Sequence, residues 1–167
     1  MLILKSDTEL ERKVKELMDG KVSIVCIGNE LRGDDSVGIH ICKELSKHGV
    51  RNQSECGDDF ITCIYDVVTA DKPSTLLLID AVDLAVEPGS TVIADLDEVE
   101  EFLTPLSTHA IPLTTAVELV KAVTKHEFRA LVLGIQVLST LPNQTLSSDL
   151  VKAVDNVVKA ITKVVNA

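Results

Sequence analysis

Three side chains far apart in the sequence could share one ion: Asp35, Asp80 and His109. Two carboxylates and one imidazole suit zinc, nickel, iron or manganese. They also leave coordination positions open, as in a working metal site rather than a closed structural one. Any acidic α/β domain can offer such a trio, so its meaning depends on the elements that would bring the three together.

The first acid belongs to the stretch Ile24-Val25-Cys26-Ile27-Gly28-Asn29-Glu30-Leu31-Arg32-Gly33-Asp34-Asp35-Ser36-Val37-Gly38. An apolar, β-branched run stops at a glycine, a polar loop follows, and a helical pattern opens on two adjacent acids. Gly28 and Gly33 have the spacing of a phosphate-binding loop, but Asp34 and Asp35 stand where that loop needs lysine and a hydroxyl. Two carboxylates there repel a nucleotide, and the dinucleotide fingerprint fails because residue 30 is Glu. A cation is the better ligand. Asp34 is a second acid for activating water, with capping of the following helix as its plain structural alternative.

The chain has 167 residues, enough for one domain with a real core. Its hydrophobic residues make up 46% of the chain with no Trp, one Tyr and three Phe, so the core must be aliphatic. A formal net charge of −10 argues against nucleic acid and anionic membranes as partners. No apolar run reaches the ~18 residues of a membrane span, and the start of the chain lacks the apolar region of a signal peptide. Cys26, Cys42, Cys56 and Cys63 form no C-x-x-C pair, so buried free thiols and a cytoplasmic location are expected.

The periodicity predicts a helix over 7–19, closed by Gly20, as an extension packed on the domain. A strand over 21–27, the acidic loop, and a helix carrying Val37, Ile41, Cys42 and Leu45 on its apolar face come next; His40 falls on the wet side. A weak strand over 50–56 leads to a helix capped by Asp58 or Asp59. The apolar strand 74–79 ends at Asp80, on the carboxyl edge where open α/β sheets keep their ligands. Residues 81–89 are too few for a parallel crossover, so 90–94 should run antiparallel to that strand after a turn at Pro88-Gly89. A short acidic helix over 97–103 then brings His109 back to the same edge. A helix from Leu113, a strand over 129–137 carrying Gln136, and a final helix capped by Ser147 and Ser148 complete the chain. The expected fold is a single three-layer α/β domain: a twisted, mostly parallel sheet with one antiparallel strand and helices on both faces.

Four motifs occur in order: Gly28-Asn29-x-Leu31-x-Gly33-Asp34-Asp35-x-x-Gly38, Ile79-Asp80-Ala81 with Pro88-Gly89, Thr108-His109 before Pro112-Leu113, and Leu133-Gly134-Ile135-Gln136. Together they resemble the hydrogenase maturation proteases, endopeptidases that trim the large subunit of NiFe hydrogenases, and most of all the type serving formate-hydrogenlyase-like enzymes. The resemblance implies metal-binding positions at Asp35, Asp80 and His109. It also implies a nickel-loaded large-subunit precursor as partner, cut after a basic residue to release a C-terminal extension, with the nickel carried by the substrate. Ser36 stands where many relatives have glycine, and Val137 where close relatives have proline.

Three rival readings remain at this level. A non-catalytic metal chaperone or assembly partner of the large subunit would use the same three residues without cutting. A nucleotide-binding enzyme would need the affinity that Asp34 and Asp35 oppose. A serine or cysteine peptidase would need a nucleophile beside His109; Ser107 is near in sequence but lacks a nucleophile-elbow context.

Overall fold

A computed structural model of the chain describes residues 1–57, 59–103, 111–142 and 144–166. Its centre is a strand with every residue buried, β2 (Val22–Ile27), flanked by the almost equally buried β4 (Thr75–Val82). Such continuous aliphatic runs are stable only when helices cover both faces of the sheet. On one face lie α1 (Asp7–Leu17), α2 (Val37–Lys47) and α6 (Ser148–Val165), whose apolar stripes meet Ile24, Leu77, Ile79 and Leu133. On the other lie α3 (Phe60–Asp71) and α5 (Leu113–Thr124), packed on Val25, Leu76, Leu78 and Val132.

The remaining strands are β1 (Leu2–Leu4), β3 (Gln53–Gly57), β5 (Thr91–Asp95) and β6 (Arg129–Gln136), in the sheet order β1-β5-β6-β4-β2-β3. β3, β2, β4 and β6 are mutually parallel, whereas β5 runs antiparallel to both of its neighbours. One strand therefore opposes the rest, as expected. Its neighbour is not the expected one, because β5 pairs with β6 and not with β4. The turn at Pro88-Gly89 reverses the chain, but it leaves a gap that the later, more apolar β6 fills. Gly89 N–H donates to Gln136 O and Gln136 N–H to Ser90 O, at 2.9 and 2.8 Å, which fastens that turn to β6.

Two further differences concern the termini of elements. The first twenty residues contribute a strand as well as a helix, since Leu2–Leu4 pairs with Thr91–Ile93. Three residues are too short for a periodic signal, and the sheet edge, not propensity, decides their conformation. β4 continues past Asp80 to Val82, because β6 offers partners for Asp80, Ala81 and Val82 as well.

The expectation of free thiols is also corrected. Cys26 is joined to Cys42, and Cys56 to Cys63. Cys26 lies on β2 and Cys42 on the α2 face that covers it, with Cα atoms 6.1 Å apart; Cys56 near the end of β3 faces Cys63 of α3 at 5.4 Å. Both separations suit a bridge, and neither is visible in linear spacing. No helix among the described residues is long and apolar enough to cross a membrane.

The bridge Cys26–Cys42 closes a loop around the acidic stretch. Denatured, unreduced protein should therefore take up no thiol-alkylating reagent. Reduction should lower the melting temperature, each bridge contributing about 2–4 kcal/mol. Calorimetry with and without reductant, beside the alkylation assay, measures both; full labelling before reduction would contradict the pairing.

Candidate active site at the carboxyl edge

The chain leaves β2 for β3 on one side and returns past it to β4 and β6 on the other, so the strand order reverses between β2 and β4. The crevice at such a reversal is where open α/β sheets hold ligands. Here α2 comes unusually close to the sheet. A β-carbon on Gly38 would sit 2.5 Å from Ile27 O and 2.6 Å from Ile79 O, so only glycine lets the first turn of α2 rest on both strand ends. Gly28 (φ +154°) likewise faces the Asp35 carbonyl too closely for any side chain. These contacts draw the residues just before α2 over the end of β4.

Those residues form a 3-10 turn, Gly33–Ser36, so the paired acids precede α2 instead of occupying its first turn. Asn29 N–H donates to Asp35 O (3.3 Å), Asp35 N–H to Arg32 O (3.0 Å), and Ser36 Oγ to Gly33 O (2.6 Å). Ser36 has φ −83°, so serine replaces glycine there without backbone strain.

The two acids have different roles. Asp34 is 1% exposed, and its carboxylate accepts from Leu138 N–H (2.8 Å), Ser139 N–H (3.0 Å), Ser147 N–H (2.8 Å) and Ser147 Oγ. Asp34, expected as a second acid for activating water or as a helix cap, is engaged as a clamp between the acidic turn and the segment joining β6 to α6. Ser147 is engaged in the same clamp, so its hydroxyl does not cap α6 as its position suggested.

Asp35 is buried to the same degree, and Asp80 is 4% exposed. Ala81 N–H donates to Asp80 Oδ1 at 2.8 Å. Burial, with the Asp35 charge as the next contribution, pushes the Asp80 carboxyl well above the usual carboxylate range; the Ala81 N–H opposes this and Glu100 adds to it. No lysine or arginine among the described residues enters that balance. Asp35 and Asp80 thus lie within electrostatic reach of each other at the switch point. His109 lies outside the described residues. Among the described residues, no three His, Cys, Asp or Glu side chains gather closely enough to hold a metal ion by themselves.

Gln136, 3% exposed, supports the same edge. Its Nε2 donates to Asp83 Oδ1 (3.1 Å) and Val137 O (2.9 Å), and its Oε1 accepts from Leu84 N–H (2.7 Å). All its polar atoms serve to tie β6 to the segment after β4. His40 is exposed, as the amphipathic pattern indicated, and His48 at the end of α2 bonds through Nδ1 to Glu44 O at 2.8 Å. Asp59 caps α3 by accepting from Thr62 N–H at 3.4 Å, and Asp58 lies outside the described residues.

Glu100 was not singled out from the sequence. It begins a 3-10 turn (Glu100–Phe102) after the short α4 (Leu96–Val99), and its Oε2 is buried with no hydrogen-bond donor among the described residues. In the run Asp97-Glu98-Val99-Glu100-Glu101 nothing linear marks one acid from the others.

Comparison with known proteins bears on the family and the fold. The family model for hydrogenase maturation protease of the HycI type matches residues 39–164, beginning just after the paired acids. A Methanocaldococcus jannaschii protein provisionally named a hydrogenase maturation protease is 32% identical over 128 residues, covering 70% of this chain and 72% of that protein. The Escherichia coli K12 hydrogenase 3 maturation protease is 26% identical over 103 residues, 59% of this chain and 63% of that one. In fold, the crystal structure of the NiFe hydrogenase maturation protease HycI from Thermococcus kodakarensis superposes with a TM-score of 0.73 at 24% identity, covering 93% of this chain and 99% of that one. The solution structure of the Escherichia coli endopeptidase HycI gives 0.72 at 23% identity, covering 86% and 90%.

Two stability effects of opposite sign follow from the site. Asp34→Ala leaves four donors without their acceptor and should cost about 3 kcal/mol or more. Asp80 has a raised folded-state pKa, so its favourable contribution is complete below the unfolded value near 3.8 and is lost as pH rises through the higher folded value. Asp80→Asn removes that loss and should raise the melting temperature of the metal-free protein at neutral pH, with a smaller gain at pH 4. Thermal unfolding at the two pH values checks both variants. The match over residues 39–164, together with the shared fold, establishes this chain as a member of the hydrogenase maturation protease family, hydrolases of peptide bonds.

Proposed function

We propose that the protein removes a C-terminal extension from the nickel-loaded large-subunit precursor of a NiFe hydrogenase, with Asp35, Asp80 and His109 recognising the nickel. The observation carrying this reading is the burial of Asp80 at the switch point under the charge of the equally buried Asp35, with no lysine or arginine among the described residues offsetting that charge on Asp80. Such a pair favours a cation brought from outside. The substrate's nickel meets that need, since a cation offsets the burial and the Asp35 charge that hold the Asp80 carboxyl above its usual range. A precursor without nickel offers nothing to the pair and leaves it repelling, so the acids discriminate loaded from empty substrate. Cleavage after a basic residue near the last cysteine motif belongs to this reading.

The same charge supports the absence of nucleic-acid partners and of membrane insertion. A cytoplasmic site of action is part of the proposal; two disulfides persist inside cells most readily in hyperthermophiles.

Incubation with nickel-loaded precursor should shorten the large subunit, read by mass spectrometry of the intact subunit. Asp80→Asn and His109→Ala should retain the fold and lose processing by at least 100-fold. Chelation of free metal should change the rate little. Intact precursor after incubation with the parent protein would favour the metal-chaperone reading, and inhibition by chelator that zinc reverses would indicate an ordinary zinc peptidase.

A further inference from the structure

Hydrolysis needs an acceptor for a proton of the attacking water, and Asp34 is closed to that role by its four hydrogen bonds. Asp83 on the same edge is exposed, and its Oδ1 is occupied by Gln136 Nε2 and Ala85 N–H. Glu100 differs from both. Its turn is fastened beside the end of β4 by the Asp83 N–H to Phe102 O bond (2.8 Å) and the antiparallel bridge between Val82 and Leu103. That places Glu100 close enough for its charge to act on Asp80. Its Oε2 is withdrawn from solvent yet receives no donor among the described residues. An acceptor oxygen held this way is costly unless a bound partner supplies the missing hydrogen.

Resting on the reading of this edge as a peptidase site, we propose that Glu100 is the general base of the reaction. Its carboxylate accepts a hydrogen bond from the water that attacks the scissile carbonyl. The water O–H bond breaks as its oxygen bonds to the carbonyl carbon, and the proton passes to Glu100. When the C–N bond breaks, the same proton goes to the departing amine, which leaves Glu100 ionised and the two peptide fragments neutral in the sum of their new groups. A direct ligand role is disfavoured, because Asp35, Asp80 and Glu100 do not gather at coordination distance. The turn thus holds its carboxylate within electrostatic reach of Asp80 without joining Asp35 and Asp80 in one cluster of ligands.

The test compares Glu100→Gln, Glu100→Asp and the exposed-neighbour control Glu101→Gln with the parent, using nickel-loaded precursor of the same organism. Single-turnover cleavage is read by mass spectrometry and precursor capture by surface plasmon resonance. Glu100→Gln should cleave at least about 100-fold more slowly while binding precursor within about twofold of the parent. Glu100→Asp should recover part of the rate, and Glu101→Gln all of it. Cleavage by Glu100→Gln within threefold of the parent overturns the proposal, as does loss of capture in step with loss of cleavage. Should Glu100→Gln fail to fold, Glu100→Asp decides: parental speed sinks the proposal, and a slowed rate with intact capture supports it. Asp80→Asn run alongside separates the two readings. Activity in Glu100→Gln with none in Asp80→Asn removes only Glu100, whereas activity in both removes the assignment of the whole edge.

Discussion

Two carboxylates held out of water against each other are unstable unless something positive joins them, and this fold is built around that tension. Asp35 and Asp80 sit where the strand order reverses, beneath the first turn of α2. The protein supplies neither arginine nor lysine to balance Asp80, although it has sixteen such residues elsewhere. Its ion pairs, such as Lys43 with Glu30 and Arg129 with Asp95, lie on the surface, where they contribute little. Asp80, buried under another acid's charge without lysine or arginine, is thus a local departure from an otherwise consistent design, and such departures concentrate at functional sites.

Rigidity around the pair keeps the tension from relaxing. Gly28 and Gly38 allow backbone to approach backbone, and the clamp at Asp34 ties the acidic turn to the segment before α6. Gln136 does the same for the segment after β4, and the Cys26–Cys42 bridge joins the strand that delivers the turn to the helix that receives it. Four separate devices converge on a few residues. A loop free to move would swing Asp35 into water and lose its selectivity for a cation.

Much of this arrangement is legible in the sequence, because it depends on signals that are local. The apolar run before Gly28, the strand leading to Asp80 and the stripes of α2, α5 and α6 each appear within a window of a few turns. Direction was legible too, since the eight residues between β4 and β5 cannot make a parallel crossover. Adjacency was not. Whether β5 lies beside β4 or β6 depends on a strand that arrives over thirty residues later, and the Cys26–Cys42 contact depends on how α2 rotates over β2. Asp34 fails for a related reason: its partners at Leu138, Ser139 and Ser147 are more than a hundred positions away, so capping was the only local use in view. Glu100 was hidden by its company, one acid among four in a five-residue run.

Placement on the sheet also explains why neighbouring acids divide the work. Asp34 and Asp35 are consecutive in a tight turn, so their side chains leave the backbone in different directions. One meets the N–H groups of the loop after β6, and the other brings its charge to bear on Asp80 of β4. Exchanging the two would put the recognising carboxylate among donors that stabilise its charge without any metal. Such an acid would have little need of a cation from a substrate. The requirement for outside charge therefore resides in the burial of Asp80, which receives the Ala81 N–H but no lysine or arginine, not in the number of acids, and the clamp is what keeps the donors of the loop after β6 on Asp34.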